Sequence, residues 1–221
     1  MIDASALEPL KIDVVSDVMC PWCYVGKRRL EKALSEANDV TVKVEWHPFQ
    51  LDPTLPSEGK DRQKYLSDKF GSTERAAEIY QRVSAAGAAE DIPFAFDKIK
   101  KSPNTLNAHR LIRWAGIEGV QDQVVERLFE LYFLEGADLT NADVLADAAT
   151  AGGMDREMVL RLLASGADVA ETEAEVVHAQ AIGVTGVPCF IVDGKYAVSG
   201  AQPADVLAEA IRKAAVERGG S

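Results

Sequence analysis

Apolar positions along this chain change rhythm several times, and the changes mark out its elements. Lys11-Ile12-Asp13-Val14-Val15-Ser16 reads as a strand, and it leads directly into Trp22, Val25, Gly26, Leu30, Ala33, Leu34 and Ala37, a stripe spaced by threes and fours. Thr41-Val42-Lys43-Val44-Glu45-Trp46 alternates strictly and predicts a second strand, ahead of the Pro-rich stretch Leu51-Asp52-Pro53-Thr54-Leu55-Pro56. Strand, helix, strand over residues 11 to 46 is one βαβ unit, which predicts a parallel pair with a right-handed crossover. From about Lys60 to Gly166 the spacing is helical throughout. It predicts helices near 60–70, 73–89, 104–116, 119–135, 141–151 and 155–164, broken at Gly71, Ile92-Pro93, Ser102-Pro103, Gly136 and Gly152-Gly153. A helix near 168–182 ends at Gly183. The strand Cys189-Phe190-Ile191-Val192 then joins Tyr196-Ala197-Val198 through Asp193-Gly194, a two-residue hairpin signal, and a last amphipathic helix runs from Pro203 to about Glu217. The order predicts a discontinuous α/β domain, residues 1–58 with 167–221, interrupted by an all-helical segment over 59–166.

At 221 residues with 47% hydrophobic side chains, the chain has ample material for a core. Twenty-four Lys and Arg against 35 Asp and Glu give a net charge of −11, dispersed along the sequence, which argues against nucleic acid or an anionic membrane surface as the main partner. The start, Met1-Ile2-Asp3-Ala4-Ser5-Ala6-Leu7-Glu8-Pro9, has neither a basic nor an apolar leader segment, and no apolar run is long enough to span a bilayer, so the expected location is cytoplasmic. In a reducing cytosol, three cysteines make no structural framework, and a Cys-x-x-Cys pair is catalytic or metal-binding.

That pair is Cys20-Pro21-Trp22-Cys23, set where the first strand runs into the first helix. Cys20 falls at the N-cap, and Pro21 takes the first helical position, where its missing N–H is not needed. A thiolate at Cys20 would meet the free N–H groups of Trp22 and Cys23 and the positive end of the helix dipole, which makes Cys20 the expected exposed and reactive thiol. A zinc site would need four ligands, and the remaining candidates are Cys189 and the scattered His47, His109 and His178. A structural disulfide between cysteines three apart would close a tiny loop and stabilise little. A chance pair of core cysteines is the bland alternative, against which stands the strand-to-helix setting.

The element order is that of a thioredoxin fold with a large inserted helical lobe. Ser16-Asp17-Val18-Met19-Cys20-Pro21-Trp22-Cys23-Tyr24-Val25-Gly26, Ser102-Pro103-Asn104-Thr105-Leu106-Asn107-Ala108-His109-Arg110-Leu111, Gly183-Val184-Thr185-Gly186-Val187-Pro188 and Asp193-Gly194-Lys195-Tyr196 together resemble the DsbA family of thioredoxin-fold oxidoreductases. Within it they resemble the FrnE-like branch of dithiol–disulfide isomerases. The resemblance covers nearly the whole chain. It implies a thiol–disulfide oxidoreductase in which Cys20 attacks and Cys23 resolves, acting on protein or peptide disulfides with no dissociable cofactor, glutathione being compatible as reductant or co-substrate. It implies a cis Pro188 beside the pair, leaving the Val187 backbone to dock an extended substrate. Trp22 departs from the DsbA pattern of a histidine between the cysteines, so a strongly oxidising potential does not follow.

Other residues carry two readings each. Asp17 is a proton acceptor for Cys23, a charge that repels the thiolate, or a solvated loop residue; His109 lines a groove under the lobe or is a surface or packing residue; Asn104 caps or precedes its helix. Cys189, facing the same way as Ile191 on an alternating strand, is a buried hydrophobe or a third redox thiol. Kappa-class glutathione transferases and hydroxychromene-carboxylate isomerases share this architecture and give the rival function, glutathione-dependent isomerisation. They carry a serine where Cys20 stands and an acidic anchor for glutathione, which Ser199-Gly200-Ala201-Gln202 lacks. A polypeptide-binding chaperone with incidental thiols is the second rival.

Overall fold

Residues 10–16 pair with two neighbours of opposite direction, and that pairing organises the sheet. In the computed structural model, which describes residues 8–219, β1 (Leu10–Ser16) lies parallel to β2 (Val42–Pro48) and antiparallel to β5 (Cys189–Val192), and β5 pairs antiparallel with β6 (Tyr196–Ser199). The sheet order is β2-β1-β5-β6. Residues 1–7, which include most of the stretch read for a leader, lie outside the described residues. Among the described residues no helix is long and apolar enough to cross a membrane.

Strand alternation gives the sheet two different faces. Ile12, Val14, Phe190 and Val192 face one way, into the main core with α1 (Pro21–Glu36) and α9 (Ala204–Gly219). Val15 and Cys189 face the other way, into a smaller cluster with Ala179 of α8 (Val169–Ala181). Asp193 and Gly194 turn the β5–β6 hairpin in the left-handed conformation at φ 53° and 65°, but Val192 pairs with Tyr196, so the connection takes in Lys195 and has three residues where the sequence predicts two.

Between β2 and α8 the chain forms α2 (Arg62–Phe70), α3 (Thr73–Ala88), α4 (Leu106–Ile117), α5 (Gln121–Glu130), α6 (Ala142–Ala151) and α7 (Arg156–Ala164). Two features depart from the sequence reading. A two-stranded ribbon of β3 (Lys60–Asp61) and β4 (Lys101–Ser102) ties the ends of the α2–α3 excursion, and strands of two residues leave no alternation to read. The helix expected over 119–135 gives way after Glu130 to a π-helical turn, Leu131–Glu135, whose Phe133 carbonyl accepts the Ala95 N–H at 2.8 Å.

The inserted helices are packed directly onto the sheet and the first helix. One cluster of buried side chains runs from Ile12 and Cys23 through Leu111, Phe129 and Ala149. Tyr24 of α1 stacks on Phe129 at 5.1 Å, and the buried Lys27 ammonium meets Asp122 and Glu126 of α5 at 3.1 and 3.0 Å. Arg110, fully buried on α4, donates to the Leu162, Ser165 and Ala167 carbonyls and so satisfies the orphan C-terminal groups of α7 and the loop beyond it.

The outer edge of β2 is closed by one side chain. Gln121 Oε1 accepts the Trp46 N–H at 2.8 Å while Gln121 Nε2 donates to the Trp46 carbonyl at 3.0 Å, so the amide pairs with the strand as another strand would. Gln121→Ala should leave the Trp46 backbone unpartnered and lower stability by about 1–3 kcal/mol. Chemical denaturation would show it, and an unchanged midpoint would refute it.

Candidate active site

Cys20 is the N-cap of α1, at φ −90° and ψ 111°, with Pro21 opening the helix. Its N–H donates to the Asp17 carbonyl at 2.9 Å, and its own carbonyl accepts the Cys23 N–H at 3.0 Å, so the four-residue turn is fixed by its backbone. The Val187–Pro188 peptide is cis. Cys20 Sγ points at the Val187 carbonyl, 3.7 Å away, and the Val187 N–H has no partner among the described residues. Cys20 was expected to be exposed, but only 5% of it is, because the Val187–Pro188 segment sits against it.

This approach depends on Gly26. A Cβ there would lie 2.8 Å from Pro188 Cγ and 3.1 Å from Phe190 Cζ, closer than packed carbons come. The helix is therefore bare one and a half turns past Cys20, and Pro188 fills the gap. Sequence reading placed Gly26 in the apolar stripe, and nothing in a helical glycine announces what leans on it.

The two thiols occupy unequal surroundings. Cys23 is fully buried; burial first, and then the adjacent Cys20, push its thiol well above the ordinary 9.0, with the Ser16 side chain and the Asp17 backbone N–H offsetting part of the rise. Ser16, 5% exposed at the end of β1, is a site residue that the sequence reading passed over.

Asp17 is 0% exposed, which removes its reading as a solvated loop residue. Its Oδ1 accepts the Met19 N–H at 3.3 Å and its Oδ2 the Leu51 N–H at 2.7 Å, so it pins the active-site loop to the chain leaving β2. His109 of α4 is likewise buried, correcting its reading as a surface residue; its Nε2 lies 3.5 Å from Asp17 Oδ1 and has no hydrogen-bond partner among the described residues. Asn104 precedes α4 rather than capping it from the N-cap, which is Thr105. Its Oδ1 accepts the Leu106 N–H at 3.0 Å and Gln50 Nε2 at 3.1 Å, and its Nδ2 donates to the Leu55 carbonyl at 2.7 Å. Cys189 packs with Val15, Phe49 and Val184 on the sheet face opposite to that of Cys23, and burial alone raises its thiol. The structure thus gathers Cys20, Cys23, Val187 and Pro188, sets Asp17 and His109 beneath the loop, and leaves Cys189 across the sheet.

A four-stranded β2-β1-β5-β6 sheet with a Cys-x-x-Cys pair at the N-terminus of its first helix and a cis proline before β5 defines a thioredoxin-fold redox domain. The chain belongs to the family of DSBA-like thioredoxin domains, matched over residues 11–212. It is 32% identical to the probable DsbA oxidoreductase SCO1869 from Streptomyces coelicolor, covering 94% of this chain and 91% of that one, with a TM-score of 0.85. The uncharacterized protein YwbO of Bacillus subtilis (strain 168) is 26% identical over 201 residues, 90% of this chain and 94% of the relative. The fold also resembles 2-hydroxychromene-2-carboxylate isomerase, with a TM-score of 0.72, 15% identity, and 95% and 98% of the two chains covered.

Two outcomes follow from this geometry. Gly26→Ala gains up to about 1 kcal/mol of helix propensity, yet overpacking against Pro188 should cost about 1–3 kcal/mol, so the melting temperature should fall. A rise would mean that Pro188 does not rest there. The second concerns pH: a thiol raised in the folded state stabilises the fold fully below its unfolded value, and that stability drains away as pH climbs toward the folded value. The reduced protein should therefore lose stability above about pH 9, by roughly 1.4 kcal/mol for each further pH unit, and Cys23→Ser should flatten that loss. Identical alkaline slopes would contradict the burial argument.

Proposed function

We propose that this protein is a thiol–disulfide oxidoreductase, with isomerase activity, acting on protein or peptide disulfides through Cys20 and Cys23. The observation that carries the reading is the contrast between a Cys20 held at a helix N-terminus beside the substrate-binding type of backbone at Val187 and a Cys23 shielded in the core. Cys20 attacks one sulfur of the substrate disulfide, forming a mixed disulfide and releasing the other sulfur as a thiolate. Cys23 then attacks Cys20 Sγ; the Cys20–substrate bond breaks, the Cys23 proton passes to the departing thiolate, and two electrons have moved from the pair to the substrate. When a second substrate thiol attacks the mixed disulfide instead, the same intermediate yields isomerisation. The unpaired Val187 N–H and the nearby Val187 carbonyl offer an extended substrate chain a short strand-like pairing beside Cys20.

Asp17 acts in this scheme by position, since its carboxylate is spent on the Met19 and Leu51 N–H groups. No dissociable cofactor is required, because the electrons reside in the cysteine pair, and in a reducing cytoplasm glutathione would be an available reductant. A non-covalent glutathione site finds less support: in the loop before α9, Gln202 Nε2 bonds back to the Ser199 carbonyl at 2.9 Å, and Ser199–Gln202 offers no carboxylate.

Cys23→Ser should accumulate a mixed disulfide through Cys20 with a peptide or glutathione, visible by mass spectrometry, and Cys20→Ser should abolish insulin reduction and the refolding of scrambled ribonuclease. Isomerase turnover of a glutathione-dependent substrate by Cys20→Ser would transfer the function to the rival class. Suppression of aggregation that survives loss of both cysteines, with no dithiol activity in the wild type, would transfer it to a chaperone.

A further inference from the structure

The sheet face turned away from the dithiol carries a second group of chemically capable side chains. Asp13 of β1 is the register partner of Glu45 of β2, and His47 follows two residues on, so all three project from the same face. A carboxylate oxygen of Asp13, a carboxylate oxygen of Glu45 and a ring nitrogen of His47 lie within 4.8 Å of one another, His47 Nε2 being 2.6 Å from Asp13 Oδ1. Two carboxylates directly opposite on adjacent strands repel. Their charge is met here by two cations: Lys11 Nζ lies 2.8 Å from Asp13 Oδ1 and 2.7 Å from Glu45 Oε2, and Lys43 Nζ lies 2.7 Å from Glu45 Oε1. Lys11 reaches this point on a flexible four-carbon stem and is 46% exposed, whereas the three facing groups hang from the paired strands and are only 20–36% exposed. The bridging Lys11 ammonium is thus replaceable and its cradle is not.

Asp13, Lys11 and His47 also border a cavity of about 540 Å³, whose other wall carries Glu175 and His178, one turn apart on α8. Two of the three histidines, separated by more than half the chain, open on the same space. None of these residues takes part in the thiol chemistry.

We propose that Asp13, Glu45 and His47 form a binding site for a divalent transition metal of the zinc class, the ion taking the position of the Lys11 ammonium. An imidazole with two carboxylates is a nitrogen–oxygen donor set suited to a borderline ion such as Zn²⁺ or Co²⁺ rather than to Mg²⁺, which demands oxygen ligands in octahedral array. Three protein ligands leave further positions for water.

The test uses the whole protein with Cys20 and Cys23 first oxidised to their disulfide, so that this pair cannot ligate. Zn²⁺ is titrated calorimetrically, Co²⁺ by visible absorption, and Mg²⁺ serves as control. We expect one Zn²⁺ to bind and raise the melting temperature, Mg²⁺ to do neither, Lys11→Met to bind roughly tenfold more tightly because the competing ammonium is gone, and His47→Ala and Glu45→Gln each to weaken binding at least tenfold. Should Lys11→Met fail to fold, the wild type against His47→Ala carries the test. No Zn²⁺ binding by the wild type, binding that His47→Ala leaves unchanged, or a thiolate charge-transfer band with Co²⁺, which would point to Cys189, would each overturn the proposal.

Discussion

The close approach of Pro188 to the first turns of α1 is the contact on which the site depends. It is delivered by strand pairing: Val15 is the register partner of Cys189, so the residues just before β5 must emerge beside the residues just after β1. Those are Val187–Pro188 on one side and the loop leading to Cys20 on the other. A helix with a side chain at position 26 would hold the two apart, since its Cβ would intrude on the Pro188 ring. The absent side chain lets the Val187 carbonyl come within reach of Cys20 Sγ, and it leaves a backbone rather than a side chain beside that sulfur.

Burial bears hardest on Cys23, which is sealed completely. The inserted helices lie against α1 through Tyr24, Lys27 and Phe129, sealing the side of the helix on which Cys23 sits. A fully buried thiol resists ionisation, and the nearby Ser16 and Asp17 groups soften that resistance without cancelling it. In the proposed scheme one sulfur reacts first and the other waits, and the ionisation-resistant Cys23 suits the waiting role. Asp17 and His109 belong to the same sealed region, where the carboxylate spends its acceptors on loop N–H groups and so holds the strand-to-helix turn in place.

The sheet separates two environments of different character. Its α1 and α9 face is a dry hydrophobic core that ends in the dithiol. Its other face is only partly covered by α8, so Asp13, Glu45 and His47 remain partly exposed, Asp13 and His47 bordering a cavity. Cys189 belongs to this second face by simple strand alternation with Phe190, which places it apart from Cys23 although it follows Pro188 in sequence.

Local patterning was enough to determine most of the elements and their order. The short β-prone runs became β1, β2, β5 and β6, Pro21 opened α1, Asp193-Gly194 turned the hairpin with Lys195 added to the loop, and the pair Cys20 and Cys23 stood at the strand-to-helix junction where neighbouring residues alone place it. These are short-range consequences of backbone geometry and capping. Tertiary structure decided what depends on residues far apart in sequence: the seat of Pro188 on Gly26, the approach of His109 to Asp17 and of Val187 to Cys20, the edge-closing role of Gln121, and the opening of His47 and His178 on one cavity. Each arises from a strand register or a helix packing that brings together side chains whose own sequence neighbourhoods say nothing of one another.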